Sequence, residues 1–155
     1  MQRAVRAAVR TVALLTLMAS PLVAIAADYV LVVHPSVPAD TLAKLRELAG
    51  EQPRGLTFAD AGDGSATRRA ARRFAERAHL EVTQVSYSGN SKALAAVVAG
   101  EAAATFTRAG PAATALKSGK LRALAVTGPK RPPGLPAVPT FDEAGLPGFS
   151  PGGRD

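Results

Sequence analysis

Short apolar runs alternate with amphipathic segments from residue 29 almost to the end of the chain. This alternation is typical of an α/β fold in which helices cover a parallel sheet. The first run, YVLVV at 29–33, is continuous and β-branched, as expected of a strand buried on both faces. We therefore predict an open, mostly parallel sheet flanked by helices. The predicted strands are 29–33, 56–59, 82–87, 102–106 and 121–126; the helices are one capped by Asp40 and ended by Gly50, then 66–78, 91–99 and 111–117.

The composition is that of a globular chain. Of its 155 residues, 47% are hydrophobic and 20% are charged, and none is Cys. These values exclude a disulfide scaffold, a collagen-like chain and charge-driven disorder. The length allows one compact domain. We expect a single α/β lobe at 27–149, in which 128–149 is an extended, Pro-rich connection, and a disordered tail at 150–155.

Residues 1–26 have the three parts of a secretory signal. Arg3, Arg6 and Arg10 precede an uncharged run that ends in the small residues of AIA at 24–26. We predict that residues 1–26 are a cleaved signal peptide and that the product is periplasmic. The alternative is a retained anchor, but the run is interrupted by Pro21 and is shorter than the roughly 20 apolar residues of a spanning helix. Cleavage would lower the net charge of +7 by three, so we expect no nucleic-acid partner.

Residues suited to catalysis are scarce. There is no Cys, and the two histidines, His34 and His79, have no spacing that indicates a metal site or a nucleophile and base pair. Both are expected to be structural. We therefore predict that the protein is not an enzyme and that it uses no metal or cofactor.

Two polar turns each follow a predicted strand and precede a predicted helix. The first is GDGS at 62–65 and the second is SGNS at 88–91. The carboxyl ends of parallel strands bind ligands in open α/β folds, and free N–H groups at helix starts attract carboxylate or phosphate. The pattern predicts an anion site made by main-chain groups with serine hydroxyls. The alternative, that these are ordinary loops whose Ser and Asn cap the helices, stays open.

Five arginines crowd the helix predicted at 66–78: Arg68, Arg69, Arg72, Arg73 and Arg77. A charge run without interleaved aromatics is typical of a solvated helix face. Arg68 and Arg69 are nearest the first turn and could help to hold an anion.

Five sequence phrases occur in a fixed order: YVLVVHPS at 29–36, FADAGDGS at 58–65, VSYSG at 85–89, GKLRALAVT at 119–127 and VPTFDEAGLPGF at 138–149. In this order and spacing they resemble the periplasmic solute-binding receptors of tripartite tricarboxylate transporters, the Bug-type receptors. The resemblance runs from about Tyr29 to Phe149. It implies one lobe of a periplasmic-binding-protein type II-like fold, corresponding to the second domain of such a receptor.

The resemblance also implies a ligand and its site. The ligand would be a small carboxylate, presented to membrane permease subunits. The first turn matches the family's anion-binding turn, Thr67 matches a following hydroxyl position, and Tyr87 begins the second ligand loop. The candidate site is therefore Gly62, Asp63, Gly64, Ser65, Thr67, Tyr87, Ser88 and Gly89.

The sequence departs from the family's pattern in three places. It has no first-lobe strand and loop before Tyr29 and no return to that lobe after Phe149, so we expect a single lobe with weak affinity. Asp60 stands where a small hydroxyl residue is usual, and its charge is expected to repel an anion. Two alternatives remain: an interaction module that pairs with a second chain through an apolar interlobe face, or a decayed remnant of such a receptor.

Overall fold

The computed structural model describes residues 29–150. Five strands alternate with four helices, so the α/β class predicted from the sequence is confirmed. The strands are β1 (Tyr29–Val33), β2 (Leu56–Asp60), β3 (Val82–Ser86), β4 (Ala104–Arg108) and β5 (Arg122–Val126). The helices are α1 (Leu42–Glu51), α2 (Ala66–Ala78), α3 (Asn90–Val98) and α4 (Ala109–Lys117).

The five strands form one sheet in the order β3-β2-β4-β1-β5. Strand β2 is parallel to β3 and β4, whereas β1 is antiparallel to both β4 and β5. Four strands therefore share one direction, as a mostly parallel sheet requires, and β1 runs against them. The apolar run of β1 indicates a strand that is buried on both faces. It does not indicate the direction of the strand, because such a run suits a parallel or an antiparallel neighbour.

Strand β1 lies inside the sheet, and Val30, Leu31, Val32 and Val33 are all fully buried. Its alternate side chains enter two separate apolar clusters. Leu31 and Val33 pack in the cluster that contains α1 and α2, and Val30 and Val32 pack in the cluster that contains α3 and α4. The helices thus cover the sheet in pairs, one pair on each face.

All five phenylalanines of the chain contact one another on the face covered by α1 and α2. Neighbouring ring centroids are 4.5 to 6.2 Å apart, a range typical of favourable aromatic pairs. Phe58, Phe74 and Phe106 come from β2, α2 and β4, whereas Phe141 and Phe149 come from the segment after β5. The core of this face therefore includes the end of the described chain.

Residues 127–150 contain turns and one isolated bridge, between Val126 and Thr140, but no helix or strand. The segment is held along β5, since the Phe141 amide donates to the Val126 carbonyl over 3.0 Å. The sequence predicts residues 128–149 only as an extended, Pro-rich connection. Its buried Phe141, Leu146 and Phe149 show that it also supplies core side chains.

The first predicted helix boundary is wrong by one residue. Thr41, not Asp40, caps α1, because the Thr41 Oγ1 accepts a hydrogen bond of 3.2 Å from the Lys44 amide. The helix also continues through Gly50 to Glu51. Both residues before the helix are of capping type, and only the backbone direction decides which of them reaches the first free amides.

The predicted signal peptide at 1–26 and nearly all of the predicted tail at 150–155 lie outside the described residues. None of the helices within 29–150 is long and apolar enough to cross a membrane. In the same range, no group of three or more Asp, Glu or His side chains could hold a metal ion.

Candidate functional site

The sheet topology brings the two polar turns to one edge. Strands β2 and β3 are adjacent and parallel, with Asp60 paired to Ser86 at their carboxyl ends. After β2 the chain continues into α2 on one face of the sheet, and after β3 it continues into α3 on the other face. Adjacent strands whose helices leave to opposite faces form a crevice between their ends, where open α/β sheets bind ligands.

The two turns lie against each other across this crevice. The Tyr87 amide donates to the Asp60 carbonyl over 2.8 Å. A Cβ atom on Gly62 would lie 3.7 Å from the Tyr87 carbonyl oxygen. The structure therefore brings together the predicted residues of the first turn and those of the second.

Most polar groups of the first turn already have partners within the protein. The Ala61 amide donates to the Thr67 hydroxyl over 3.1 Å, and the Gly62 amide donates to Asp60 Oδ1 over 2.8 Å. Ser65 caps α2, since its Oγ accepts from the Arg68 amide over 3.1 Å. Ser65 is thus a helix cap, as in the alternative interpretation of this turn, and Thr67 holds the loop. Gly62 and Gly64 both have positive φ, at 102° and 75°, and let the chain turn so tightly.

The second turn is different, because no side chain caps the helix that it precedes. The N-cap of α3 is Gly89, with φ 131° and ψ 164°, a conformation open essentially to glycine alone. Only the fourth amide, that of Ala93, bonds back to the Gly89 carbonyl. The amides of Asn90, Ser91 and Lys92 have no acceptor among residues 29–150. Three N–H donors at the positive end of a helix dipole are thus open to an acidic ligand.

Two other predicted residues lie beside this helix start. Ser88 is exposed, whereas Tyr87 is partly buried and packs against the apolar cluster under α3. The Asp63 side chain is 96% exposed at the rim of the first turn. The candidate residues of the first turn are thus mainly bonded within the protein. Those of the second turn lie beside free amides of Asn90, Ser91 and Lys92, which are not among the eight candidates.

The Asp60 carboxylate has partners that the sequence does not predict. Its side chain is fully buried, and its Oδ1 accepts from the Gly62 amide and, over 2.9 Å, from the Ser86 hydroxyl. Its Oδ2 accepts no hydrogen bond but lies 3.5 Å from Arg68 Nη1. The expected repulsion of an anion is thus offset by a neighbouring cation. The sequence shows an unusual residue at this position but not its partner, because Arg68 is reached only through the fold.

Arg69, Arg72 and Arg77 of α2 are exposed, as expected of a solvated helix face, and two of them also bond to the backbone of other segments. Arg69 Nη1 donates to the Gly64 carbonyl over 2.7 Å, and Arg77 Nη2 donates to the Pro147 carbonyl over 2.6 Å. Arg77 thereby links α2 to the segment after β5.

The two histidines have structural environments. His34 Nδ1 lies 2.6 Å from the Ser36 hydroxyl, just after β1. His79 ends α2 with φ 55°, so it forms the left-handed C-cap. Both lie away from the two polar turns in sequence and in their contacts.

Large apolar side chains are almost entirely covered in the described part of the chain. Within 29–150 the one exposed large hydrophobic residue is Val85, at 37% exposure on the edge strand β3. Other large apolar side chains, such as Leu94, Val98 and Leu116, are only partly buried.

Comparison with known proteins gives a family for this fold. The model of the tripartite tricarboxylate transporter family receptor matches residues 10–152. A UPF0065 protein from the tcbD–tcbE intergenic region of a Pseudomonas species is 39% identical over 118 residues, 73% of this chain and 35% of its own. Protein BugT of Bordetella pertussis is 31% identical over 120 residues, 77% of this chain and 37% of its own. The chain thus spans little more than a third of the length of these relatives.

Solved structures agree with this assignment. An R. palustris protein with adipate superposes with a TM-score of 0.75 at 32% identity, covering 79% of this chain and 41% of the other. MatC from Rhodopseudomonas palustris with bound malate gives a TM-score of 0.75 at 30% identity, with coverages of 79% and 42%. The periplasmic binding protein BugD gives 0.74 at 25% identity, with coverages of 78% and 40%.

These comparisons confirm the resemblance drawn from the five sequence phrases and the predicted fold class. The family is one of receptors, not of enzymes, which agrees with the absence of a catalytic constellation expected from the sequence. The chain belongs to the tripartite tricarboxylate transporter receptor family, in its Bug-type branch.

Proposed function

We propose that this chain is a receptor lobe that binds a small carboxylate at the crevice between β2 and β3. The observation that carries the proposal is the uncapped start of α3, whose three free amides lie beside the turn of β2. Support comes from two structural relatives that were solved with adipate and with malate. The residues predicted from the sequence remain part of the proposed site, but the main contact with the ligand moves from the first turn to the second.

In this proposal the first turn shapes the crevice and the second turn receives the anion. Gly62, Gly64, Ser65 and Thr67 hold the loop through internal hydrogen bonds. Gly89 leaves the amides of α3 open, and Tyr87 and Ser88 form the adjoining wall.

The proposed setting is the periplasm, where the lobe would present its ligand to membrane permease subunits. The family model describes a transporter receptor, and one structural relative is described as a periplasmic binding protein. The signal peptide proposed at 1–26 would bring the chain there.

Thermal unfolding with adipate and with malate tests this function. A ligand at about ten times its dissociation constant stabilises the folded state by about 1.4 kcal/mol, which raises Tm by several degrees. We expect such a rise with either dicarboxylate at millimolar concentration. No rise with either of them would contradict the proposed function.

Gly89→Ala locates the site. An alanine cannot adopt the φ of 131° without strain, so the start of α3 must shift and binding should be lost. The matched control is Gly119→Ala, which places the same side chain at φ 73° beyond the end of α4, with open space around it. The control should lose stability but keep the shift in Tm caused by the ligand. Equal binding by both variants would place the site elsewhere.

A further inference from the structure

Arg68 spans the gap between the two polar turns. Its Nη1 donates to the Ser86 hydroxyl over 2.7 Å, at the end of β3 and next to Tyr87. Its Nε lies 3.4 Å from Asp63 Oδ1 in the first turn. The guanidinium of Arg68 therefore lies at the mouth of the crevice, although its Cα belongs to the first turn of α2.

Buried groups hold the guanidinium in this place. The Ser86 hydroxyl donates to Asp60 Oδ1 and accepts from Arg68, so it links the two charges. The other oxygen of the fully buried carboxylate lies 3.5 Å from Nη1 and has no hydrogen bond. A buried carboxylate is costly without a compensating charge, and Arg68 supplies that charge. Asp60 is thus a positioning residue for Arg68.

Arg68 still has donors to offer a ligand. A guanidinium has five N–H groups, and Nη2 of Arg68 has no hydrogen-bond partner among residues 29–150. The side chain is 32% exposed, so solvent and a ligand can reach it. The planar fork of arginine matches a carboxylate and forms bonds about twice as strong as those between neutral groups.

We propose that Arg68, held by Asp60 and Ser86, makes this crevice selective for an anionic carboxylate over a neutral solute of the same shape. The inference rests on the proposed function. The α3 amides donate to a carbonyl oxygen of any kind, and the helix dipole behind them favours an anion only modestly, whereas a guanidinium adds a full positive charge. Arg68 is therefore a specificity-determining residue of the site, and Asp60 acts through it.

The test compares adipate with adipamide, its uncharged diamide, by calorimetric titration of the whole chain. Arg68→Gln should weaken adipate binding about tenfold or more and leave adipamide binding nearly unchanged. The matched control is Arg72→Gln, which removes the same charge one turn further along α2 from an exposed side chain. The control should bind adipate within about twofold of the unmodified chain, because an exposed surface charge contributes little to an interaction.

Arg68→Gln removes a contact with the ligand, but it also leaves the Asp60 carboxylate without its cation, so that Asp60 could repel the ligand. A double variant separates these two causes of weaker binding. In Asp60→Asn/Arg68→Gln neither charge remains, and we expect the preference for adipate to stay lost. Arg68→Lys keeps a cation and should recover part of the preference. Restored preference in the double variant, or equal preference in Arg68→Gln and Arg72→Gln, would overturn the role of Arg68. No binding of adipate or malate by the unmodified chain would instead refute the proposed function, and this inference with it.

Discussion

At the scale of single residues, the buried carboxylate of Asp60 connects the two polar turns. Asp60 joins three parts of the site, since it accepts from the Gly62 amide and the Ser86 hydroxyl and lies against Arg68. A buried group with several partners is expensive to remove, because each partner then loses its acceptor. Asp63 also pairs with Arg68, but its side chain is 96% exposed, and exposed ion pairs contribute little.

We expect Asp60→Ala to lower the free energy of unfolding by about 2 kcal/mol, since it leaves two donors without their acceptor. Asp60→Asn should cost less, because an amide oxygen can still accept from Gly62 and Ser86. Urea denaturation measures both. Asp63→Ala is the control and should stay within about 0.5 kcal/mol of the unmodified chain. Equal losses for Asp60→Ala and Asp63→Ala would show that burial of the Asp60 carboxylate adds nothing.

At the scale of elements, the segment after β5 is held by a local ion pair. Glu143 accepts from Arg131 Nη2 over 2.8 Å and from Arg131 Nε over 3.2 Å. It also accepts from the amide and the hydroxyl of Thr140, beside the bridge to Val126. These bonds, that to Arg131 first, lower the pKa of Glu143 to about 2. The carboxylate form of Glu143 is therefore the one that the folded chain favours.

This pKa predicts a pH dependence. A carboxyl group whose pKa is lowered on folding stabilises the protein above its unfolded pKa, and that contribution is lost as the pH falls. The unmodified chain should thus be more stable than Glu143→Gln at pH 7, and the difference should shrink between about pH 4.5 and about pH 2. Urea denaturation across this range measures it. Glu47→Gln, in an exposed pair with Lys44, is the control. A difference that stays constant with pH would contradict the prediction.

At the scale of the whole molecule, one aromatic cluster joins the sheet, α2 and the segment after β5. Phe149 is 6% exposed and its ring lies 4.5 Å from that of Phe141 and 6.0 Å from that of Phe106. Arg77 adds a hydrogen bond to the same segment through Pro147. Residues 127–150 should therefore unfold together with the sheet and not as a separate tail.

We expect Phe149→Ala to cost about 3 kcal/mol or more, because it opens a cavity beside the rings of Phe74, Phe106 and Phe141. The loss should appear in the single unfolding transition of the chain, followed in urea by circular dichroism. Val85→Ala, at the exposed edge strand, should cost less than about 1 kcal/mol. A small effect of Phe149→Ala, or a separate early transition, would show that this segment does not belong to the cooperative core.

Much of this architecture is predictable from local patterns. The five strands and four helices follow from apolar runs and helical spacing, and the two glycine turns mark the edge where the proposed site lies. The strand directions could not be predicted from the sequence, since the run from Val30 to Val33 suits a central strand of either direction. The two turns of the proposed site could be singled out from the sequence, but the contacts between them could not. Ser65 proved to be a helix cap, and the importance of Arg68 depends on a serine 18 positions away.

The sequence by itself determined the secondary-structure elements, the two turns and the family, because each of these depends on residues close together in the chain or on motifs in a fixed order. Only the tertiary structure decided that β1 runs against its neighbours, that two late phenylalanines complete the core, and that Asp60 faces Arg68. Those outcomes depend on which strands become neighbours. That choice is settled by the packing of the whole molecule, in which distant side chains must fill one space and balance one another's charge.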